Sequence, residues 1–144
     1  MNYLRRQLAP ITDGAWSEID DQAKRVLSSL LTVRKYVDVK GPYGPDLGGV
    51  SSGRLEIVSG EKRGLPNFGV HKLHPLVEVR VPFELDLWEL DNSSRGARDI
   101  DLSTLEEAAR KVAAFEELLL YNGAAEAGVA PLGESVSHAP IAYD

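Results

Sequence analysis

The chain has 144 residues, enough for one domain with a real hydrophobic core and too few to expect two. Its net charge of −6, with Lys and Arg scattered, argues against nucleic acid, whose binding needs a concentrated basic surface. The absence of cysteine excludes disulfides, thiolate catalysis and zinc–sulfur sites. The N-terminal stretch carries charges but no apolar h-region, and no segment is long and apolar enough to span a bilayer. The expectation is a soluble, cytoplasmic protein with no membrane partner.

Residues 1–12 read as an arm interrupted by Pro10, with Thr12 and Asp13 as N-cap candidates for a helix. From Ala15 to Leu31 the apolar residues Trp16, Ile19, Ala23, Val26, Leu27, Leu30 and Leu31 recur at helical spacing, and the opposite face is charged. Tyr36–Val39 reads as a short strand that stops at the turn cluster Gly41-Pro42-Tyr43-Gly44. Residues 45–74 are glycine-rich, with strand candidates at Arg54–Val58 and Phe68–Lys72. They describe a projecting hairpin that needs a partner surface, because an isolated two-stranded ribbon is marginal in water.

Beyond Leu76 the apolar residues Val77, Val79, Val81, Phe83, Leu85 and Leu87 alternate with Glu78, Arg80, Glu84 and Asp86. This is the pattern of one long strand with a buried face, and it places Trp88 on the polar face. A polar connection, 92–99, leads to Ser103-Thr104-Leu105-Glu106, a capping box. The helix it opens carries a broad apolar stripe and stops at Asn122-Gly123. After Gly123 the chain is small and polar without periodicity, and is expected to be a flexible connection.

None of these segments carries a convincing active site. His71 and His74 fall on opposite faces of a strand, which disfavours a shared metal, and His138 lies in the polar tail. Neighbouring acids on a helix, Glu106 with Glu107 and Glu116 with Glu117, diverge by about 100°, so solvation or salt bridges explain them better than acid–base catalysis. Serine lacks a His–Asp arrangement, and the glycine-rich stretches match no phosphate loop. An exposed Trp88 has two uses, a subunit contact or a stacking platform for a planar ligand.

Three segments carry a resemblance. Leu8-Ala9-Pro10 is followed by Trp16, Glu18, Ile19 and Asp20. Arg34-Lys35-Tyr36-Val37-Asp38-Val39 precedes Gly41-Pro42-Tyr43-Gly44. Leu85-Asp86-Leu87-Trp88-Glu89-Leu90-Asp91-Asn92 is followed by Arg95-Gly96, Asp101-Leu102 and Glu106-Glu107. In these the chain resembles the encapsulin shell proteins, also known as a linocin-like bacteriocin family, from residue 1 to about Gly128. The resemblance implies an α+β fold like the major capsid protein of tailed bacteriophages, present here as its N-terminal half. Residues 1–33 would be the N-terminal arm and lumen-facing helix, 34–44 a strand and turn, and 45–74 an extended hairpin loop pairing with a neighbouring subunit. Residues 75–123 would be the long strand and spine helix of the peripheral domain, and 124–144 a flexible connection before a missing axial domain.

The resemblance also implies a structural, non-enzymatic role. Copies of the chain would self-assemble into an icosahedral nanocompartment, joined by a complementary C-terminal half if the protein is split. The compartment would enclose a cargo enzyme, such as a ferritin-like iron-storage protein or a dye-decolorizing peroxidase, recruited by a targeting peptide. Leu27, Leu31, Arg34 and Asp38 are the implied cargo-peptide residues, although the two leucines equally suit core closure; Leu27, Leu31 and Arg34 share a helix face. No cofactor is required. Some family members bind FMN or another flavin at the position of Trp88, with Arg80 associated, but on a straight strand these two lie ~26 Å apart. A viral capsid protein of the same fold and a small protease-like enzyme are the alternatives.

Overall fold

The computed structural model describes residues 5–58 and 66–135. They belong to two compact units. One takes its chain from Met1–Val37 and Val79–Glu117, the other from Asp38–Glu78 and Leu118–Asp144. Each is described by itself.

The first unit is helical. Helix α1 spans Asp13–Leu30, and the Thr12 hydroxyl accepts a hydrogen bond from the Ala15 N–H at 3.3 Å, as its sequence predicts for an N-cap. Ala15, Ile19 and Val26 are buried along its apolar stripe. Ahead of it, a 3-10 turn at Arg6–Leu8 holds the arm in place. The Arg6 guanidinium donates to both Asp20 carboxylate oxygens at 2.6 Å and lies 4.5 Å from the centre of the Trp16 ring.

The second helix differs from the sequence-based expectation. Residues Leu87–Ser94, read as the end of a long strand and the start of a loop, form α2. The physical reason lies in Asp86-Leu87-Trp88-Glu89, an Asp followed three residues later by Glu, which is a helix-start signature. Asp86 is extended at φ −72°, ψ 123°, and its carboxylate accepts the Trp88 N–H at 2.8 Å. Glu89 then accepts the Asp101 N–H at 3.0 Å and the Asn92 side-chain N–H at 3.1 Å, tying α2 to the entry of the next helix. Residues 76–86 run without turn or bend but belong to no ladder among the described residues, so alternation there is not strand pairing.

Helix α3 spans Ser103–Asn122. The predicted capping box is replaced: the Asp101 carboxylate accepts the Ser103 N–H at 2.9 Å, while Glu106 is engaged by Gln22 and Arg110. Ala15, Ile19, Leu90, Leu102 and Leu105 form the core where α1, α2 and the start of α3 meet, and Trp16, Leu85 and Ile100 pack around it. Alanines 108, 109 and 113 on α3 are also buried. Helices α1 and α3 run in the same direction, because Gln22 bonds Glu106 and, ten residues on, Thr32 bonds Glu117. Tyr36–Val39 is no strand. A 3-10 turn at Val33–Lys35 ends the helical segment instead, because Glu117 accepts the Val33 N–H at 3.0 Å and the Thr32 hydroxyl at 2.5 Å.

The second unit holds the hairpin. Strand β1 (Gly49–Val58) pairs antiparallel with β2 (Phe68–Pro75); β1 starts five residues before the predicted strand and β2 ends three residues beyond it. The register slips between Ser51 and Leu55, where Gly53 takes φ 71° and the Ser52 hydroxyl donates to the Lys72 carbonyl at 2.8 Å, a bulge that bends the ribbon. The hairpin tip, 59–65, lies outside the described residues. The predicted flexible connection has local order as far as residue 135. Ala124 bridges Val129, and 3-10 turns occupy Ala125–Ala127 and Leu132–Ser135. Gly123 permits this return at φ 71°, where a Cβ would lie 2.7 Å from the Pro131 ring. The rest of that segment, 136–144, is outside the described residues.

Two outcomes test this account. Asp86→Ala removes the cap of α2 and lowers stability by about 1 kcal/mol in denaturant titration, whereas Glu84→Ala, two residues earlier, changes it little. The Glu117 carboxyl is held below its ordinary value of 4.5 by the Thr32 hydroxyl and the Val33 N–H. A depressed carboxylate contributes stability above its unfolded value and loses it as pH falls through the folded one. The stability gap between the parent and Glu117→Gln therefore narrows as pH is lowered from about 5 to about 3.

Candidate functional site

A groove of about 570 Å³ lies between the C-terminal half of α1 and α3. Leu27, Leu31 and Val112 give it an apolar floor, with Lys24, Ser28, Arg34, Lys35 and Glu116 around them. Leu27 is half-buried, and Leu31 is 8 % exposed. Leu31 therefore closes the core while presenting an edge to the groove.

The Arg34 guanidinium donates to the two Glu116 oxygens at 2.6 and 2.7 Å. This bidentate pair, with Glu116 as its largest cause, holds the arginine above its ordinary pKa. Its position is fixed from below by Glu117, which binds the Thr32–Val33 backbone one residue earlier. Three of the four sequence-predicted residues, Leu27, Leu31 and Arg34, thus line one groove. Asp38 is exposed and belongs to the second unit. Sequence reasoning missed Lys24, Ser28 and Lys35, of which the first two fall three residues before Leu27 and Leu31 on the same face. It also missed the α3 wall, although Val112 and Glu116 are an i,i+4 pair and a salt bridge was foreseen for the Glu116-Glu117 pair.

The acidic pairs and histidines elsewhere have ordinary neighbours. Glu106 and Glu107 pair with Arg110 and Lys111 one turn on, at 3.2 and 2.6 Å. His71 and His74 sit opposite Leu55 and Val50 in the hairpin register, which puts them on different faces. Among the described residues no group of three or more His, Asp or Glu is arranged to hold a metal ion. None of their helices is long and apolar enough to cross a membrane.

Trp88 is 77 % exposed and stands on α2, not on a strand, so the straight-strand spacing from Arg80 no longer applies. The described grooves of the first unit are lined by other residues than Trp88 and Arg80.

The comparisons with known proteins agree with the resemblance. A family model described as encapsulating protein for peroxidase matches residues 1–144. The type 1 encapsulin shell protein of Rhodospirillum rubrum is 41% identical, with 96% of this chain and 52% of that protein covered. Those of Mycolicibacterium paratuberculosis and Mycobacterium tuberculosis are each 39% identical, covering 99% and 90% of this chain and 53% and 48% of their own. The chain spans about half the length of the curated relatives it matches. It belongs to the encapsulin shell-protein family.

Proposed function

We propose that this chain acts as a shell subunit, assembling with further copies into an icosahedral, cytoplasmic compartment that encloses a cargo enzyme. The observation that carries this reading is apolar surface that the hairpin leaves open. Leu55, Ile57 and Leu73 are 49, 68 and 60 % exposed on one face. Val50, Val70 and Phe68 are 49, 52 and 52 % exposed on the other. A two-stranded ribbon with apolar residues on both faces is stable only against another surface, and a neighbouring subunit supplies one. The relatives carry about as much chain again as the matched part. In this reading a shell-competent subunit includes that second half, on the same polypeptide or a separate one.

The groove between α1 and α3 is the proposed seat of the cargo peptide. Leu27 and Leu31 offer an apolar anchor point, and Arg34, immobilised by Glu116, gives a fixed cationic edge. Asp38 enters this reading through the family resemblance alone. The fold is proposed to be the capsid-like one of tailed bacteriophages, with α1 facing the lumen and α3 as the spine of the peripheral domain. The role is structural rather than enzymatic and requires no cofactor. A flavin on Trp88, with Arg80 associated, enters this reading through the family resemblance alone.

The protein co-produced with the second half of the Rhodospirillum rubrum relative yields hollow particles in negative-stain electron micrographs; monomers alone under those conditions overturn the assembly reading. A ferritin-like or peroxidase cargo bearing its C-terminal targeting peptide is retained by the parent particles. Leu27→Asp lowers that retention by roughly tenfold without dissolving the particles. Equal retention by parent and variant moves the cargo seat elsewhere.

A further inference from the structure

The 3-10 turn at Arg6–Leu8 has no buried residue of its own, and Leu8 is 73 % exposed. Apolar packing therefore does little to hold the turn against α1. Charge does more. The Arg6 guanidinium reaches two residues one turn apart on α1, both carboxylate oxygens of Asp20 at 2.6 Å and the Trp16 ring, whose centre lies 4.5 Å away. The Arg6 and Asp20 side chains stay 33 and 51 % exposed, so water and salt have access to the pair. Two features oppose this closed arrangement. Arg5, which opens the turn, is a non-glycine residue in the left-handed region, at φ 46°, ψ 37°. The Trp16 Nε1 is a buried N–H with no hydrogen-bond partner among the described residues.

We propose that residues Arg6–Ala9 act as a strap that opens and closes over Trp16, with the Arg6 guanidinium as its latch. The strap pivots at Ala9, which is extended at φ −86°, ψ 140°, ahead of the fixed ring of Pro10. Ile11, just beyond, packs against the core, so the motion ends there. Opening lets Arg5 leave the left-handed region and lets water reach the indole edge, whereas closure regains both contacts of Arg6. The two states differ at the latch, and neither requires α1 to unfold. What the strap controls is an apolar groove that Trp16 lines together with Pro10, Ile11, Phe83, Leu85 and Leu87. Lifting the strap extends that groove along the indole face. High salt screens the exposed pair and favours the open state; low ionic strength favours the closed one. The device does not rest on the shell reading, since it uses neither the hairpin nor the groove between α1 and α3.

The chain has two tryptophans, Trp16 and Trp88, so Trp88→Phe at its exposed position leaves Trp16 as the sole indole reporter. In that background, acrylamide quenching of Trp16 rises by roughly threefold when Asp20→Asn breaks the latch. With Asp20 intact, quenching also rises between about 20 mM and about 1 M sodium chloride, and with Asp20→Asn this salt dependence is lost. Hydrogen exchange read by NMR locates the change. The Leu8 and Ala9 amides, which donate to the Arg5 and Arg6 carbonyls at 2.9 and 3.0 Å, exchange faster by roughly tenfold in Asp20→Asn. The Ile19 and Val26 amides, within α1, keep their parent rates, which separates opening of the strap from loss of folding. Quenching that responds to neither salt nor Asp20→Asn overturns the proposal. So does acceleration of the α1 amides in step with those of Leu8 and Ala9.

Discussion

The parallel packing of α1 against α3 is the constraint on which the rest of the first unit depends. It is set by small residues and carboxylates together. The buried alanines at 109 and 113 share the α3 face of Glu106 and Glu117 and keep bulky side chains out of it. Glu106 and Glu117 then fix the axial register, one by accepting from Gln22 and the other by closing the backbone turn that follows α1. Because Glu117 holds the turn at Val33, Arg34 emerges at the height of Glu116, and the bidentate pair forms with both partners already placed. The groove above Leu27 and Leu31 is thus a by-product of how the two helices are registered, not a separate construction.

The same logic shows what was legible in the sequence. Helices α1 and α3 were, since an apolar stripe at helical spacing and a Thr or Gly at the right end state their existence and limits locally. The hairpin strands were legible because glycine-rich flanks isolate them. The end of the long strand was not. Leu85, Leu87 and Trp88 satisfy both an alternating and a helical reading, and the decision falls to Asp86, whose carboxylate reaches the Trp88 N–H as soon as the chain turns. An Asp-x-x-Glu signal inside an alternating run outweighs the run, because a cap supplies a partner within the chain and a strand must find one elsewhere.

The groove was legible in part for a related reason. Leu27, Leu31 and Arg34 share one face of a local element, so spacing alone groups them. Lys35 and the α3 wall join them only through tertiary contact, and no spacing rule connects Arg34 to a glutamate 82 residues away. Trp88 was singled out correctly as exposed, but its strand placement followed from the same alternation that Asp86 overrides.

The apolar residues of 79–87 and of the hairpin raise one physical question between them. A chain of 144 residues with an ordinary apolar fraction has enough core-forming side chains to cover itself, yet Phe83, Leu87, Leu55 and Ile57 stay substantially exposed. Much of this exposure falls on the hairpin and the extended segment after it, and the rest on the C-terminal part of α3, where Phe115, Leu118 and Tyr121 are open as well. Open apolar edges promote uncontrolled association unless a specific partner fills them first. Pro82, which has no N–H, and the Thr104 hydroxyl on the Glu84 carbonyl leave one edge of 79–85 with fewer free groups, which narrows the ways in which the segment can associate.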